Sequence, residues 1–82
     1  MPEHVVDRVV RVIAKTQKLP EGRVTASSTF KELGIDSLDG LNILFAIEEE
    51  FGLNVPDDAA MEFKSVPEVV AGVERLLADK QV

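Results

Sequence analysis

Apolar positions recur at helical spacing along much of the chain. Val6, Val9, Val10 and Ile13 fall at i, i+3, i+4 and i+7, with Asp7, Arg8, Arg11 and Lys15 on the opposite face, the pattern of an amphipathic helix. This spacing predicts a first helix from about Glu3 to Gln17. Its valines have restricted χ1 freedom and are weak local helix formers, so packing must hold it. In the next periodic stretch, Leu38, Leu41, Leu44, Phe45, Ile47 and Phe51 form a broad stripe that Ile43 and Ala46 widen. The stripe predicts a helix from Ser37 to about Phe51, the most buried of the set. Asp36 is suited to cap it, because a carboxylate there accepts from the free amides of the first turn, and Asp39 adds charge at the positive helix end. Gly52 suits the left-handed residue that commonly follows a helix.

Pro56-Asp57-Asp58 opens a short third helix, expected from Asp58 to Glu62 or Phe63. Ser65-Val66-Pro67-Glu68 has the serine-to-glutamate spacing of a capping box, with proline in the first turn where its missing N–H costs nothing. A fourth helix is expected from Val66 to about Asp79, its apolar face carrying Val66, Val69, Val70, Val73, Leu76 and Leu77. Between the first two helices, Leu19-Pro20-Glu21-Gly22 and Thr25-Ala26-Ser27-Ser28-Thr29 disfavour long regular elements. That connection reads as an ordered loop anchored by Phe30, Leu33 and Ile35, with room for one short helical turn. No segment alternates apolar and polar residues over strand length. The fold class is therefore all-α: three longer helices, one short one and a long first loop.

At 82 residues the chain is expected to be a single domain, 1–82, with a small core. The absence of cysteine removes disulfides and thiolate metal sites and suits a reducing compartment. Met1-Pro2-Glu3-His4 lacks the basic start and apolar run of a signal peptide, and no later run is long enough to span a bilayer. A soluble, monomeric, cytoplasmic protein is expected. The net charge of −6 is localised: residues 36–62 hold eight acidic side chains and neither Lys nor Arg. Such a field repels nucleic acid and anionic lipid and speeds encounter with basic protein surfaces, though an acidic face also serves solubility.

Enzymatic chemistry finds little to work with. His4 is the sole histidine and stands near the chain end, and Gly34-Ile35-Asp36-Ser37-Leu38 lacks the second glycine of a nucleophile elbow. No catalytic residue is assigned. Counted from Asp36, the third and fifth loop positions of a calcium site would be Leu38 and Gly40, which offer no side-chain oxygen, so no metal is expected. Ser37 is the unusual residue. It opens a helix beside a capping aspartate, where backbone amides and the positive helix end favour an attached phosphate. Serine is also an ordinary first-turn residue, and from its position alone both readings stand.

The stretch Phe30-Lys31-Glu32-Leu33-Gly34-Ile35-Asp36-Ser37-Leu38-Asp39, with Ala46-Ile47-Glu48-Glu49-Glu50-Phe51-Gly52-Leu53-Asn54-Val55-Pro56-Asp57 beyond it, closely resembles the acyl carrier protein family. The leucine-glycine pair, Asp-Ser-Leu, the acidic-ended helix and the proline-aspartate step stand in order, and the match extends to both terminal helices. The resemblance implies a four-helix bundle with Ser37 as the attachment point of 4'-phosphopantetheine, transferred from coenzyme A by a separate phosphopantetheinyl transferase. The arm would supply the thiol that the sequence lacks, and the protein would shuttle acyl thioesters between enzymes of fatty-acid, specialised lipid or polyketide biosynthesis.

By the same resemblance, Asp36, Leu38, Asp39, Glu48 and Glu49, with Asp57 extending the face, would be read by the transferase and by acyl-transferring and condensing enzymes with basic docking patches. Charge reversal at Glu48 and Glu49 is expected to spare folding. Leu41, Leu44, Phe45, Phe63 and Val66 would shelter the acyl chain or serve as plain core. Asn42, Phe45 and Gly40 depart from the family's usual glutamate, methionine and side-chain-bearing residue, which leaves room for a specialised pathway. The alternatives are an aminoacyl or peptidyl carrier and an unmodified acidic adaptor.

Overall fold

The computed structural model describes residues 4–80, with the side chains of Glu21 and Lys80 outside the description. Four α-helices follow one another: α1 Val5–Thr16, α2 Ser37–Phe51, α3 Asp57–Ala60 and α4 Val66–Lys80, with a single 3-10 turn at Glu21–Arg23 in the long first connection. The all-α expectation holds. Helix α1 packs on both α2 and α4 and so supplies the centre of the bundle. Val9 and Ile13 from α1, Ile43 and Ile47 from α2, and Val66, Val69 and Val73 from α4 are sealed from solvent.

Helix boundaries follow local chemistry. α1 begins at Val5 with His4 as its cap residue, whose side chain makes no cap bond; the expected start at Glu3 lies outside the described residues. α1 ends in a Schellman-type turn, Leu19 N–H donating to the Ala14 carbonyl at 2.8 Å and Lys18 N–H to that of Lys15 at 3.2 Å. The left-handed residue that this turn requires is Lys18, at φ 55°. α2 starts and stops at the expected residues, with Gly52 left-handed at φ 64°. α3 differs from expectation. It starts one residue earlier, at Asp57, and stops at Ala60 because the ladder tightens: Glu62 N–H reaches only to Ala59 and Phe63 N–H to Ala60, each at 3.1 Å. The tightened turn brings Phe63 against the core.

The breadth of α2's apolar stripe also has a different consequence from the one expected. In a bundle this small only one face of α2 meets other helices, and that face is Ile43, Ile47 and Phe51. Leu38 stays 72 % exposed, Phe45 60 % and Leu41 49 %, so α2 is not buried all round.

The long loop is anchored by Phe30 and Leu33 as expected, with Ile35 partly buried, and also by Val24. It is tied to the start of α4 by antiparallel pairing around Thr29 and Ser65, where Phe30 N–H donates to Lys64 O at 3.0 Å and Val66 N–H to Ser28 O at 2.9 Å. Thr29 and Glu32 form a reciprocal capping box at the next turn: Glu32 N–H donates to Thr29 Oγ1 at 3.1 Å and Thr29 N–H to Glu32 Oε1 at 3.3 Å. These bonds fix the segment leading to Ser37 internally and against the start of α4.

Candidate functional site

The chain is brought to Ser37 by a sharp local reversal. Ile35 N–H returns to the Phe30 carbonyl at 2.9 Å, and Gly34 takes φ 71°, a conformation that costs a side-chain-bearing residue energy. Asp36 then adopts an extended backbone, and its Oδ1 accepts from Asp39 N–H at 2.9 Å, the cap bond that the sequence predicts. The next amide, that of Gly40, is taken by the Asp36 carbonyl at 2.8 Å. Ser37 is therefore the first residue of a capped helix and is exposed. Among the described residues no hydrogen bond engages its hydroxyl, and the Ser37 and Leu38 amides have no intramolecular acceptor.

An open groove of about 660 Å3 begins at Ser37, a volume typical of small-molecule sites. Gly40, Leu41 and Leu44 line it from α2, Ala60 and Met61 from α3 and the turn after it, and Phe63 closes one side. Ser37, Gly40, Leu41 and Leu44 stand at i, i+3, i+4 and i+7, so one helical face carries both the hydroxyl and the groove floor. Lys31 and Lys64 place cationic side chains on the groove lining, while Asp36 and Asp57 contribute acids.

Of the residues expected to shelter a chain, Leu41, Leu44 and Phe63 meet in this groove. Phe45 and Val66 do not. Phe45 shares the outward stripe of α2 with Leu38, because residues seven apart return to nearly the same helical face, and Val66 is fully buried in the core at the first turn of α4. The residues that sequence reasoning missed, Phe30, Ala60, Met61 and the two lysines, come from segments without apolar periodicity. Gly40 carried a signal, its i+3 spacing from Ser37.

The expected recognition residues also divide. Leu38 and Glu49 are exposed, Asp39 is half-buried, and Asp36 is exposed while serving as the helix cap. Glu48 is structural, since its Oε2 accepts from Val55 N–H at 2.7 Å and so holds the segment after α2. Reversing its charge would remove that acceptor, so the expectation that folding is spared applies to Glu49 and not to Glu48. Glu50 is engaged as well, by Arg8, whose Nε donates to Glu50 Oε2 at 3.0 Å while its guanidinium lies 4.3 Å from the Phe51 ring centroid.

Residues 7–73 match the family described as phosphopantetheine attachment site. The chain belongs to this phosphopantetheine-binding family. Its relatives include a mitochondrial acyl carrier protein of Dictyostelium discoideum, 44 % identical over 69 residues, covering 84 % of this chain and 58 % of that protein. Acyl carrier protein 1, chloroplastic, of Hordeum vulgare is 37 % identical over 79 residues, covering 95 % of this chain and 53 % of its own length. The chain thus spans a little over half the length of these curated relatives. The crystal structure of an acyl carrier protein from Thermotoga maritima superposes with a TM-score of 0.78 at 25 % identity, covering 92 % of this chain and 88 % of that one.

The family's group is covalently attached 4'-phosphopantetheine. The residues present fit it: an unengaged, exposed serine hydroxyl at a helix start, free amides beside it for a phosphodiester, and a groove beginning at the same residue. No helix among the described residues is long and apolar enough to cross a membrane.

Proposed function

We propose that this phosphopantetheine-binding chain acts as a carrier domain. It holds acyl intermediates as thioesters on a 4'-phosphopantetheine arm joined to Ser37 and takes them from one biosynthetic enzyme to the next. The observation that carries the reading is the Ser37 hydroxyl, exposed at the first turn of a capped helix and continuous with the groove. When bound, the arm supplies a terminal thiol for thioester formation. The chain's own residues anchor and present it. Ser37 Oγ would be the oxygen esterified, Asp36 holds the turn that carries it, and the Ser37 and Leu38 amides would offer partial positive charge to the phosphodiester.

Docking falls to the outward stripe of α2. Leu38 and Phe45 are apolar contacts, and Asp39 and Glu49, with Asp57 on α3, are charges suited to basic patches on the transferase and on acyl-transferring and condensing enzymes. Met61, 75 % exposed, extends the apolar part. The groove residues Leu41, Leu44 and Phe63 shelter the acyl chain. The names of the relatives specify acyl groups as the cargo, and Phe45 and Asn42, which depart from the family's usual methionine and glutamate, favour a specialised branch of lipid or polyketide synthesis over housekeeping fatty-acid synthesis. A cytoplasmic setting completes the proposal, and the cysteine-free composition suits such a reducing compartment; cell fractionation separates it from the organellar setting named for the relatives.

Incubation with coenzyme A and a phosphopantetheinyl transferase tests the central step. Intact mass should rise by one phosphopantetheinyl group in the wild type and remain unchanged in Ser37→Ala. A folded wild type that takes up no group would favour an unmodified acidic adaptor. The same measurement on protein isolated from its native cell reports the cargo.

A further inference from the structure

The groove at Ser37 is one of two cavities that share a wall. The second, an open groove of about 540 Å3 between α3 and α4, is lined by Pro56, Ala59 and Leu76 together with the exposed charged side chains of Asp58, Glu62, Glu68, Arg75 and Asp79. Phe63 lines both. Its ring is seated on α4 at Gly72: a Cβ built on that glycine would lie 2.6 Å from Phe63 Cε1 and 2.8 Å from Cζ, closer than real Cβ atoms approach other groups. Glycine weakens a helix interior, and here the missing side chain is what admits the ring tip.

We infer that Phe63, resting in the Gly72 seat, is a removable partition between the two cavities and sets the length of acyl chain that the protein shelters. The inference rests on the carrier reading, with the chain on the protein's own Ser37-linked arm as the occupant. A chain entering the groove beside Ser37 runs along Leu41 and Leu44 and meets the Phe63 ring. Shorter chains end there. Longer ones need the ring to turn away from Gly72, which joins the first cavity to the second and its apolar residues Ala59 and Leu76.

The ring has room to turn. Phe63 is only half-buried, it follows α3 in the segment where the hydrogen bonds have tightened to turn type, and it has open space on two sides. Phe30 and Phe51, in contrast, are buried in the core. The sequence neighbourhood of Phe63 gives no hint of this role, because its partner, Gly72, stands on another helix.

The test uses the full chain, loaded with butanoyl, octanoyl, dodecanoyl and hexadecanoyl groups from the matching acyl coenzyme A by a phosphopantetheinyl transferase, with loading read by intact mass. Hydroxylamine then cleaves the thioester, forming the hydroxamate and releasing the thiol, at a rate that falls when the chain is sheltered. In the wild type, protection should increase with chain length and level off where the chain meets Phe63. Phe63→Leu and Phe63→Ala should both shift that limit to longer chains. Gly72→Ala should shift it as well, since its methyl takes the ring's seat. In spectra of the wild type, the Phe63 ring resonances should move further with chains beyond the limit than with chains that end at the ring.

If no variant with Ser37 intact gains mass, the carrier reading fails and the partition falls with it. If loading succeeds but cleavage ignores chain length, or the limit is the same in wild type and Phe63→Leu, the partition alone is overturned. Phe63→Leu retains an apolar side chain at the position, so the comparison does not depend on the stability of the alanine variant.

Discussion

Asp36 does two jobs with one carboxylate, and its variants separate them. Oδ1 accepts the Asp39 amide at 2.9 Å, and the charge stands beside the hydroxyl that a transferase would modify. Asp36→Ala should lower stability by about 1 kcal/mol, the usual cost of a lost cap, whereas Asp36→Asn, a cap of similar quality, should leave it near the wild-type value. Both should slow modification of Ser37 if the charge itself is read. Urea unfolding and the rate of mass gain measure the two effects, and wild-type kinetics in Asp36→Asn would remove the charge from the recognition surface. The cap is legible in the sequence, because the aspartate stands directly before an apolar-periodic run. That the Ser37 hydroxyl has no protein partner among the described residues is not, since it depends on what else folds against the turn.

Among the elements, α2 and the segment after it carry most of the local design. The three consecutive glutamates at the end of α2 look alike in sequence and differ in the fold. Glu48 accepts from Val55 N–H at 2.7 Å, Glu50 pairs with Arg8, and Glu49 is exposed. Glu48→Ala leaves the partly buried Val55 amide without its charged acceptor and should cost about 1–2 kcal/mol, whereas Glu49→Ala should change stability by less than about 0.5 kcal/mol. Equal unfolding midpoints for the two variants would show that the Glu48 bond does not contribute in solution. At this scale the helices are legible because periodicity and caps are local signals. α3 ends earlier than its sequence predicts because the tightening after Ala60 goes with Phe63 reaching the core, a contact that no local pattern encodes.

Across the whole molecule, the acidic middle third is divided between structure and surface. With Glu48 and Glu50 engaged internally and Asp36 capping α2, Asp39, Glu49, Asp57, Asp58 and Glu62 remain as the rest of the field that a basic partner would meet, beside the apolar stripe of Leu38 and Phe45. Charge of this kind acts mainly on the association rate and is screened within about 10 Å at ~0.1 M salt. Raising salt from ~0.05 to ~0.5 M should therefore slow association with the transferase by about tenfold while changing dissociation much less. Stopped-flow binding reads both rates, and an association rate indifferent to salt would leave the apolar stripe as the docking determinant.

The sequence by itself determined the helices, the cap at Asp36, the position of Ser37 and the sign of the surface, because each is written in residues within a turn or two of one another. Only the tertiary structure decided which side of an apolar α2 is core, groove or exposed stripe, which glutamate is structural, and that Phe63 would come to rest on Gly72. Those outcomes depend on packing between segments far apart in the chain, where a side chain's environment is set by its neighbours in space and not by its own spacing.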